Sequence, residues 1–202
     1  MNEQVERDVM EYDVLIIGGG PSGLSSAIKV KQLASAEGKD VSVCVLEKGS
    51  EIGAHILSGN VFEPTALNEL IPDWKEKEAP LNSPATKDIV KFMISENSSF
   101  NIPFPSFLIP TFNNHGNYVM SLANFTRWLA TQAESLGVEI FPGFTAAEVI
   151  FEENVVKGVL TGEMGISKDG EKKPSYQPSM ELRGKYTVCL LYTSPSPRDL
   201  AV

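Results

Sequence analysis

Cysteine is scarce in this sequence. Its 202 residues include two cysteines, Cys44 and Cys189, which do not form a CxxC pair. A disulfide framework or a zinc site is therefore not expected, and we predict no metal ligands in this chain. Clustered positive charge is missing too, since the longest basic run is Lys172-Lys173 and the formal net charge is −9. Nucleic-acid binding depends on such clusters, so this class of function is also not expected.

Long apolar runs are absent as well. No run approaches the roughly 20 residues that a membrane-spanning helix needs. The first eleven residues are acidic and contain no apolar stretch, so they match neither a signal peptide nor a transit peptide. With 42% hydrophobic and 21% charged residues, the composition is that of a globular chain. We expect a cytoplasmic protein that can still rest on a membrane surface.

An apolar run that ends in glycines opens the ordered part of the chain. Residues 12–17 (YDVLII) predict a strand buried on both faces, as in a parallel sheet. Residues 41–46 (VSVCVL) predict a second such strand, and the helix between them, over 21–35, completes a βαβ unit. The apolar face of this helix is expected to consist of Leu24, Ala27, Ile28 and Leu33.

After residue 47 the alternation of strands and helices stops. The pattern then predicts a loop over 48–60, a short helix over 64–71 and Pro-rich irregular structure over 79–110. Regular structure is expected to return with a helix over 121–136, a strand over 138–141, a hairpin over 147–161 that turns at 153–154, a polar loop over 161–178 and a last strand over 180–188.

The glycines form the motif Gly18-x-Gly20-x-x-Gly23. In such a turn the first glycine permits the bend, the second lets a pyrophosphate approach the backbone, and the third lets the helix pack on the strand. Glu47 ends the second predicted strand, where a carboxylate can accept the ribose hydroxyls and would repel an NADP 2′-phosphate. A glycine motif alone also occurs in turns without a ligand. Here the motif lies between a predicted strand and a predicted helix, and an acidic residue, Glu47, stands at the end of the next strand. This combination favours dinucleotide binding.

The choice between FAD and NAD depends on the domain plan. An NAD dehydrogenase domain would continue directly with further βα units, whereas this chain inserts irregular, Pro-rich sequence before order returns near Ser121. That interrupted plan is used by two-domain flavoproteins. By this architectural analogy we expect an α/β fold with a Rossmann-like FAD-binding domain of the two-domain flavoprotein type.

Several longer stretches resemble the electron transfer flavoprotein–ubiquinone oxidoreductase family. They are GGGPSGLSSAI, EKGSEIGAHILSGNVFEP, PDWKEKEAPLN, NNHGNYV, AESLGVEIFPGFTAAEVIFEENVVKGV and TGEMGISKDGEKKPSY, and the likeness runs from about residue 12 to 188. The resemblance implies electron transfer from reduced electron transfer flavoprotein, through FAD and a [4Fe–4S] cluster, to ubiquinone at a membrane. It also implies a peripheral location on the cytoplasmic face of a bacterial inner membrane, or on the matrix side of the mitochondrial inner membrane.

Site residues follow from the resemblance and the motif together. The glycine turn would hold the pyrophosphate, Glu47 the ribose, the loop over 54–59 the isoalloxazine side, and 145–147 the adenine end. Arg127 is either a cofactor contact or an exposed residue of its helix. The cofactor-binding residues expected are Gly18, Gly20, Pro21, Ser22, Gly23, Glu47, Lys48, Ala54, Ser58, Gly59, Arg127, Ala146 and Ala147.

The same reasoning divides the chain into four segments. We expect a first part of the FAD-binding domain (1–62), an inserted α+β segment on the quinone and membrane side (63–120), the return of the FAD-binding domain (121–188), and a tail (189–202). Residues 104–112 (FPSFLIPTF) and the short helix near 64–71 are the two apolar stretches that could touch a bilayer. Composition alone favours burial in the core for both. The resemblance favours membrane contact for the helix, through Phe62, Leu67, Leu70 and Ile71.

The chain departs from the family after Val188. The family finishes a buried strand there and enters an Ala-Glu-Gly turn that contacts FAD, whereas this chain reads CLLYTSPSPRD, which resembles a translated sequencing adapter. We therefore expect a non-native tail, a binding domain without its closing strand and turn, and weak retention of FAD. Resequencing the gene tests the origin of the tail. The cysteines that ligate the cluster are expected in a part of the family that this chain does not contain.

No catalytic residue is assigned. His55 and His115 have no carboxylate partner visible in the sequence, and electron transfer needs no proton abstraction. Two other functions stay open beside the leading one. The first is a flavin monooxygenase or a relative of geranylgeranyl reductase, and the second is a truncated product without function.

Overall fold

A computed structural model describes residues 7–57, 59–102, 114–167 and 169–191 of the chain. The chain divides into two compact units, one made of 1–56 with 126–202 and the other of 57–125. Within the described ranges the elements are β1 (Val9–Ile17), α1 (Pro21–Ala36), β2 (Val43–Glu47), β3 (Asn60–Phe62), α2 (Thr65–Leu70), β4 (Val90–Ser95), β5 (Ser98–Ile102), β6 (Tyr118–Met120), α3 (Leu122–Ser135), β7 (Val138–Pro142), β8 (Ala146–Glu152), β9 (Val155–Thr161), β10 (Met164–Ile166), β11 (Lys172–Gln177) and β12 (Glu181–Cys189).

The first unit is built on a six-stranded sheet with the order β7-β2-β1-β12-β9-β8. Its first four strands are parallel, whereas β9 and β8 are antiparallel to their neighbours. Parallel strands are normally covered on both faces, and the first four residues of β2 are indeed buried. One buried cluster of the sheet contains Tyr12, Leu15, Ile17, Cys44, Leu46, Val159 and Leu182. The predicted fold class is confirmed.

Helix α1 connects β1 to β2 and packs against both strands. Pro21 occupies its first turn, where a missing N–H costs nothing, and Gly38 beyond its end has φ +65°, which glycine adopts without strain. Leu24, Ala27 and Ile28 are buried, as predicted. Leu33 is 54% exposed, so its assignment to the apolar face was wrong.

Strands β8 and β9 form the predicted hairpin. Glu153 and Asn154 join them, and both have positive φ, at 50° and 63°. Two consecutive residues of this kind match the right-handed twist of the flanking strands. The hairpin extends the parallel sheet through β9, which pairs with β12.

Two expectations for the end of the chain were wrong. Residues 161–178 do not form only a loop, because β10 and β11 pair there as an antiparallel hairpin. The predicted last strand over 180–188 is present as β12, which runs parallel to β1 as far as the pair Ile17–Cys189, so the expectation that the closing strand is missing was wrong. Leu182 of β12 is fully buried in the core of the sheet, and Thr187 and Cys189 pair with Leu15 and Ile17 of β1. Residues 192–202 of the tail lie outside the described ranges.

The second unit contains α2 and two small sheets, β3–β6 and β4–β5. Trp74 is buried, packs edge-on against Tyr118 with ring centroids 5.8 Å apart, and donates from Nε1 to Asn68. Leu67 and Ile71 are each 3% exposed. Their expected contact with a membrane is therefore wrong for the chain as folded, because their apolar surface is already removed from solvent.

The structure does not decide the other predicted membrane contacts. Phe62 is half-buried and packs against Phe125 with ring centroids 4.8 Å apart and ring planes tilted by 47°, and Leu70 is half-buried, so membrane contact of these two residues stays a prediction. The stretch over 104–112 lies outside the described residues. Within the described ranges no helix has the length and apolar character to cross a bilayer.

Candidate cofactor site

The candidate site lies where β1 and β2 end and α1 begins. Gly18 follows the last residue of β1, Glu47 is the last residue of β2, and Pro21 is the first residue of α1. Ligands of open parallel sheets bind beyond the carboxyl ends of the strands. The N–H groups of the first helical turn also point into this region and favour an anion. The fold thus brings together the three features that the motif predicts.

The glycines differ in what surrounds them. A Cβ on Gly23 would lie 1.9 Å from the carbonyl oxygen of Gly18, so α1 can approach β1 this closely only with glycine there. Gly18 itself has φ +115°. By contrast, a Cβ on Gly20 would meet no atom within 4 Å. Open space above Gly20 is what a pyrophosphate needs in order to reach the backbone.

Glu47 is fixed by two backbone hydrogen bonds. Its Oε2 accepts from the N–H of Gly19 at 2.8 Å, and its Oε1 accepts from the N–H of Gly49 at 2.6 Å. Each carboxylate oxygen can accept a further hydrogen bond, so the half-buried side chain can still receive ribose hydroxyls. The carboxylate therefore sits directly beside the glycine turn.

Sequence reasoning did not single out two residues of this arrangement, Gly19 and Gly49. A Cβ on Gly19 would lie 2.7 Å from Cδ1 of Ile52 and 2.9 Å from Cβ of Glu47, so this position also requires a small residue. The three consecutive glycines were a visible signal for it. Gly49 gave no such signal, because its role depends on the direction of the Glu47 side chain.

The predicted adenine end is connected to the same loop. The N–H of Gly143 donates to the carbonyl of Gly49 at 2.7 Å, which holds the segment after β7 against the segment after β2. Ala146 and Ala147 follow at the exposed start of β8, and Ala146 pairs with Thr161. Backbone contact with an adenine at this position stays a prediction.

The remaining residues that were predicted to bind the cofactor lie in several different segments. Pro21 and Ser22 form the first turn of α1, and Lys48 and Ala54 are exposed in the loop after β2. Arg127 forms an ion pair with Glu51 at 3.2 Å, which places it beside that loop. Ser58 lies outside the described residues. Gly59 belongs to the second unit.

Cys44 lies in the core of the sheet rather than in the site. Burial raises the pKa of its thiol to about 12, so it remains protonated at neutral pH. Thiolates are the form that ligates metals. Across the described ranges no three His, Cys, Asp or Glu side chains come together as a metal site would require.

Known proteins match this chain closely in sequence. The profile of the NAD(P)-binding Rossmann-like domain family matches residues 16–72. An electron transfer flavoprotein-ubiquinone oxidoreductase of Pseudomonas aeruginosa is 56% identical over 91% of this chain. Mitochondrial proteins of that name are 50% identical in Oryza sativa, over 90% of this chain, and 48% identical in Mus musculus, over 91%.

The chain is homologous to electron transfer flavoprotein-ubiquinone oxidoreductases. The resemblance noted in the sequence is thereby confirmed. The homology covers the N-terminal part of these relatives, since the chain spans 34% of the Pseudomonas protein, 31% of the Oryza protein and 30% of the Mus protein.

Solved structures share the fold. A geranylgeranyl bacteriochlorophyll reductase-like protein of Thermoplasma acidophilum has a TM-score of 0.60 at 21% identity, over 90% of this chain and 39% of that protein. A flavin-dependent brominase has a TM-score of 0.58 at 18% identity, over 91% and 39%. The fold is therefore the Rossmann-like fold of FAD-dependent flavoproteins, and fold and relatives together support FAD as the cofactor.

Proposed function

We propose that this chain holds the ADP half of FAD in an enzyme that transfers electrons from reduced electron transfer flavoprotein to ubiquinone. The observation that carries the proposal is the position of Glu47, whose carboxylate is bound by Gly19 and Gly49 beside the opening above Gly20. Bound FAD supplies the redox chemistry. The residues of this chain bind and orient it.

The donor set fits that half of the cofactor. The start of α1 offers N–H groups and a partial positive charge to the pyrophosphate, and a carboxylate accepts the hydroxyls of a ribose. A Glu at this position disfavours a 2′-phosphate, so NADP is not the expected ligand. Arg127, Ala54 and Ala146 are proposed as further contacts along the same cofactor.

The reaction and the partners are proposed from the relatives. Identity of 56% over nearly the whole chain favours their reaction over that of the brominase or the reductase-like protein, which share the fold at about 20% identity. A [4Fe–4S] cluster would be held by a part of the relatives that this chain does not span. Peripheral attachment to a membrane surface belongs to the same proposal.

Competition between ligands tests the cofactor assignment. FAD is added to the purified chain, its fluorescence quenching gives Kd, and ADP or FMN is then added in excess. We expect ADP to displace FAD because the chain binds the half that both molecules share, and we expect FMN not to displace it. Displacement by FMN alone would contradict the proposal.

Activity is tested on a chimera in which residues 1–188 replace the matched part of the Pseudomonas relative. Reduced electron transfer flavoprotein is the donor and a soluble ubiquinone analogue is the acceptor. We expect quinone reduction at a rate within about tenfold of the parent relative, a difference of about 1.4 kcal/mol in the activation barrier. A chimera that binds FAD but reduces no quinone would contradict the proposed reaction while leaving the cofactor assignment intact.

A further inference from the structure

The turn that follows β7 lies directly beside the carboxylate of Glu47. Pro142, the last residue of β7, is paired with Glu47, the last residue of β2. Because Pro142 has no N–H, the next donor on this strand is the N–H of Gly143, which binds the carbonyl oxygen of Gly49 at 2.7 Å. The N–H of Gly49 in turn donates to Oε1 of Glu47 at 2.6 Å. Two consecutive hydrogen bonds therefore connect Gly143 to the proposed ribose-binding carboxylate.

Two phenylalanines fix this turn to the core of the sheet. Phe141 and Phe144 flank it, and both rings pack against the buried cluster of the sheet. Their ring centroids are 6.1 Å apart, and the rings meet nearly edge-on, at 84°. Gly143 has φ +86°, a left-handed conformation that glycine adopts without strain and that strains most other residues. The glycine therefore lets the chain turn while the two rings anchor it.

Gly49 is in a position to transmit this constraint to Glu47. A Cβ on Gly49 would lie 3.1 Å from Oε1 of Glu47 and 3.1 Å from the carbonyl oxygen of Glu51, which is closer than ordinary contact. Arg127 also holds this loop, but its ion pair with Glu51 is exposed, and exposed ion pairs contribute little. Gly49 is buried, so its carbonyl depends on the donor that Gly143 supplies. The hydrogen bond from Gly143 is therefore the stronger constraint on the loop.

We propose that Gly143 is a positioning residue for the ribose of FAD. By fixing Gly49, it directs the N–H of Gly49 to Glu47 and holds the carboxylate where it accepts the 2′-hydroxyl of the ribose. The inference rests on the proposed function, because it concerns the ribose end of the same site. When this constraint is lost, Glu47 turns away and the 2′-hydroxyl no longer contributes to affinity.

Calorimetric titration with ADP and with 2′-deoxy-ADP tests the proposal. The two ligands differ only in the hydroxyl that Glu47 would accept, so the ratio of their Kd values reports the position of the carboxylate rather than the stability of the fold. For the wild-type chain we expect 2′-deoxy-ADP to bind about tenfold more weakly than ADP, because hydrogen bonds to charged groups are the stronger kind. In Gly143→Val, whose branched side chain disfavours a positive φ, we expect a ratio of about one, with the Kd for 2′-deoxy-ADP nearly unchanged.

Two further variants serve as controls. Gly170→Val is the matched control, because Gly170 has φ +87° between β10 and β11 and a Cβ there meets no atom within 4 Å. Gly143→Asn is the conservative variant, since asparagine tolerates a positive φ and a Cβ at this position makes only an ordinary contact, 3.7 Å from Cε of Met164. We expect both to keep the wild-type ratio. If Gly143→Val does not fold, Gly143→Ala at the same φ takes its place.

The possible outcomes separate this inference from the proposed function. A wild-type chain that prefers ADP, together with a Gly143→Val variant that keeps this preference, overturns the inference alone. Equal weakening of both ligands in Gly143→Val also overturns it, because the residue would then only stabilise the fold. A wild-type chain that binds the two ligands equally, or binds neither, contradicts the inference together with the assignment of Glu47 to the ribose.

Discussion

Substitution of alanine at two glycines of the same turn separates folding from cofactor binding. In Gly23→Ala the new Cβ would lie 1.9 Å from the carbonyl oxygen of Gly18, whereas such contacts are essentially never closer than 3.0 Å. Helix α1 must therefore move by about 1 Å, against the packing of Leu24, Ala27 and Ile28 on the sheet. Overpacking of this kind destabilises by about 1–3 kcal/mol.

Gly20→Ala provides the contrast. The new Cβ meets no atom within 4 Å, and the backbone φ of −77° suits alanine. We expect its free energy of unfolding to fall by less than about 1 kcal/mol, the usual difference between residues at a helix N-cap. The methyl group projects into the opening that the pyrophosphate would enter. FAD binding should weaken by about tenfold or more, which is about 1.4 kcal/mol.

Urea unfolding and FAD titration measure the two effects. With a urea m-value of about 2 kcal/mol/M, Gly23→Ala should lower the midpoint by roughly 0.5–1.5 M. Gly20→Ala should leave the midpoint nearly unchanged and raise the Kd for FAD. The reasoning is refuted if Gly23→Ala unfolds at the wild-type urea concentration, or if Gly20→Ala binds FAD as tightly as the wild type.

Three further predictions concern the first unit. Thr161→Val should destabilise by about 1–3 kcal/mol in urea unfolding, because buried Oγ1 of Thr161 accepts from the N–H of Met180 at 2.8 Å. Hydrogen bonding to Lys185 above all lowers the pKa of Asp13 to about 2. A depressed carboxyl pKa stabilises above about pH 4 and loses that effect towards pH 2, so Asp13→Asn should flatten the acid dependence of unfolding. The thiol of Cys44, whose pKa burial raises to about 12, should resist iodoacetamide at pH 8 until the chain unfolds.

Each of these predictions has a control within the chain. Thr131 is exposed, so Thr131→Val should leave the urea midpoint nearly unchanged. Asp73 is exposed as well and forms an i,i+4 ion pair with Lys77, so Asp73→Asn provides a comparison for the acid dependence. Cys189 is exposed and should be alkylated at pH 8 in the folded chain. Equal behaviour of a variant and its control would contradict the corresponding prediction.

Local patterns in the sequence predicted the first unit well. The apolar runs before Gly18 and Glu47 correctly predicted β1 and β2, and the turn expected at residues 153–154 correctly predicted the β8–β9 hairpin. In these places the spacing of the apolar residues, the position of the glycines and the position of Glu47 all agree with the observed fold. Such agreement between local preference and overall structure is what makes a segment predictable.

Other features depend on partners that a single strand or helix does not reveal. The β10–β11 hairpin was missed because Lys172, Lys173 and Pro174 give β11 no apolar alternation. The burial of Leu67 and Ile71 depends on packing within the second unit, which the apolar face of α2 alone cannot distinguish from exposure to a membrane. Gly49 became relevant only when the direction of the Glu47 carboxylate was known.

The account depends most on Glu47 as the ribose-binding carboxylate, and one titration tests this directly. FAD is titrated into the wild-type chain, into Glu47→Gln, and into the control Glu51→Gln, whose exposed carboxylate pairs with Arg127. We expect the Kd of Glu47→Gln to rise by about tenfold or more, because an amide cannot accept from both Gly19 and Gly49 and still receive two hydroxyls. Glu51→Gln should bind within about twofold of the wild type, since exposed ion pairs contribute little. An unchanged Kd for Glu47→Gln would contradict the account.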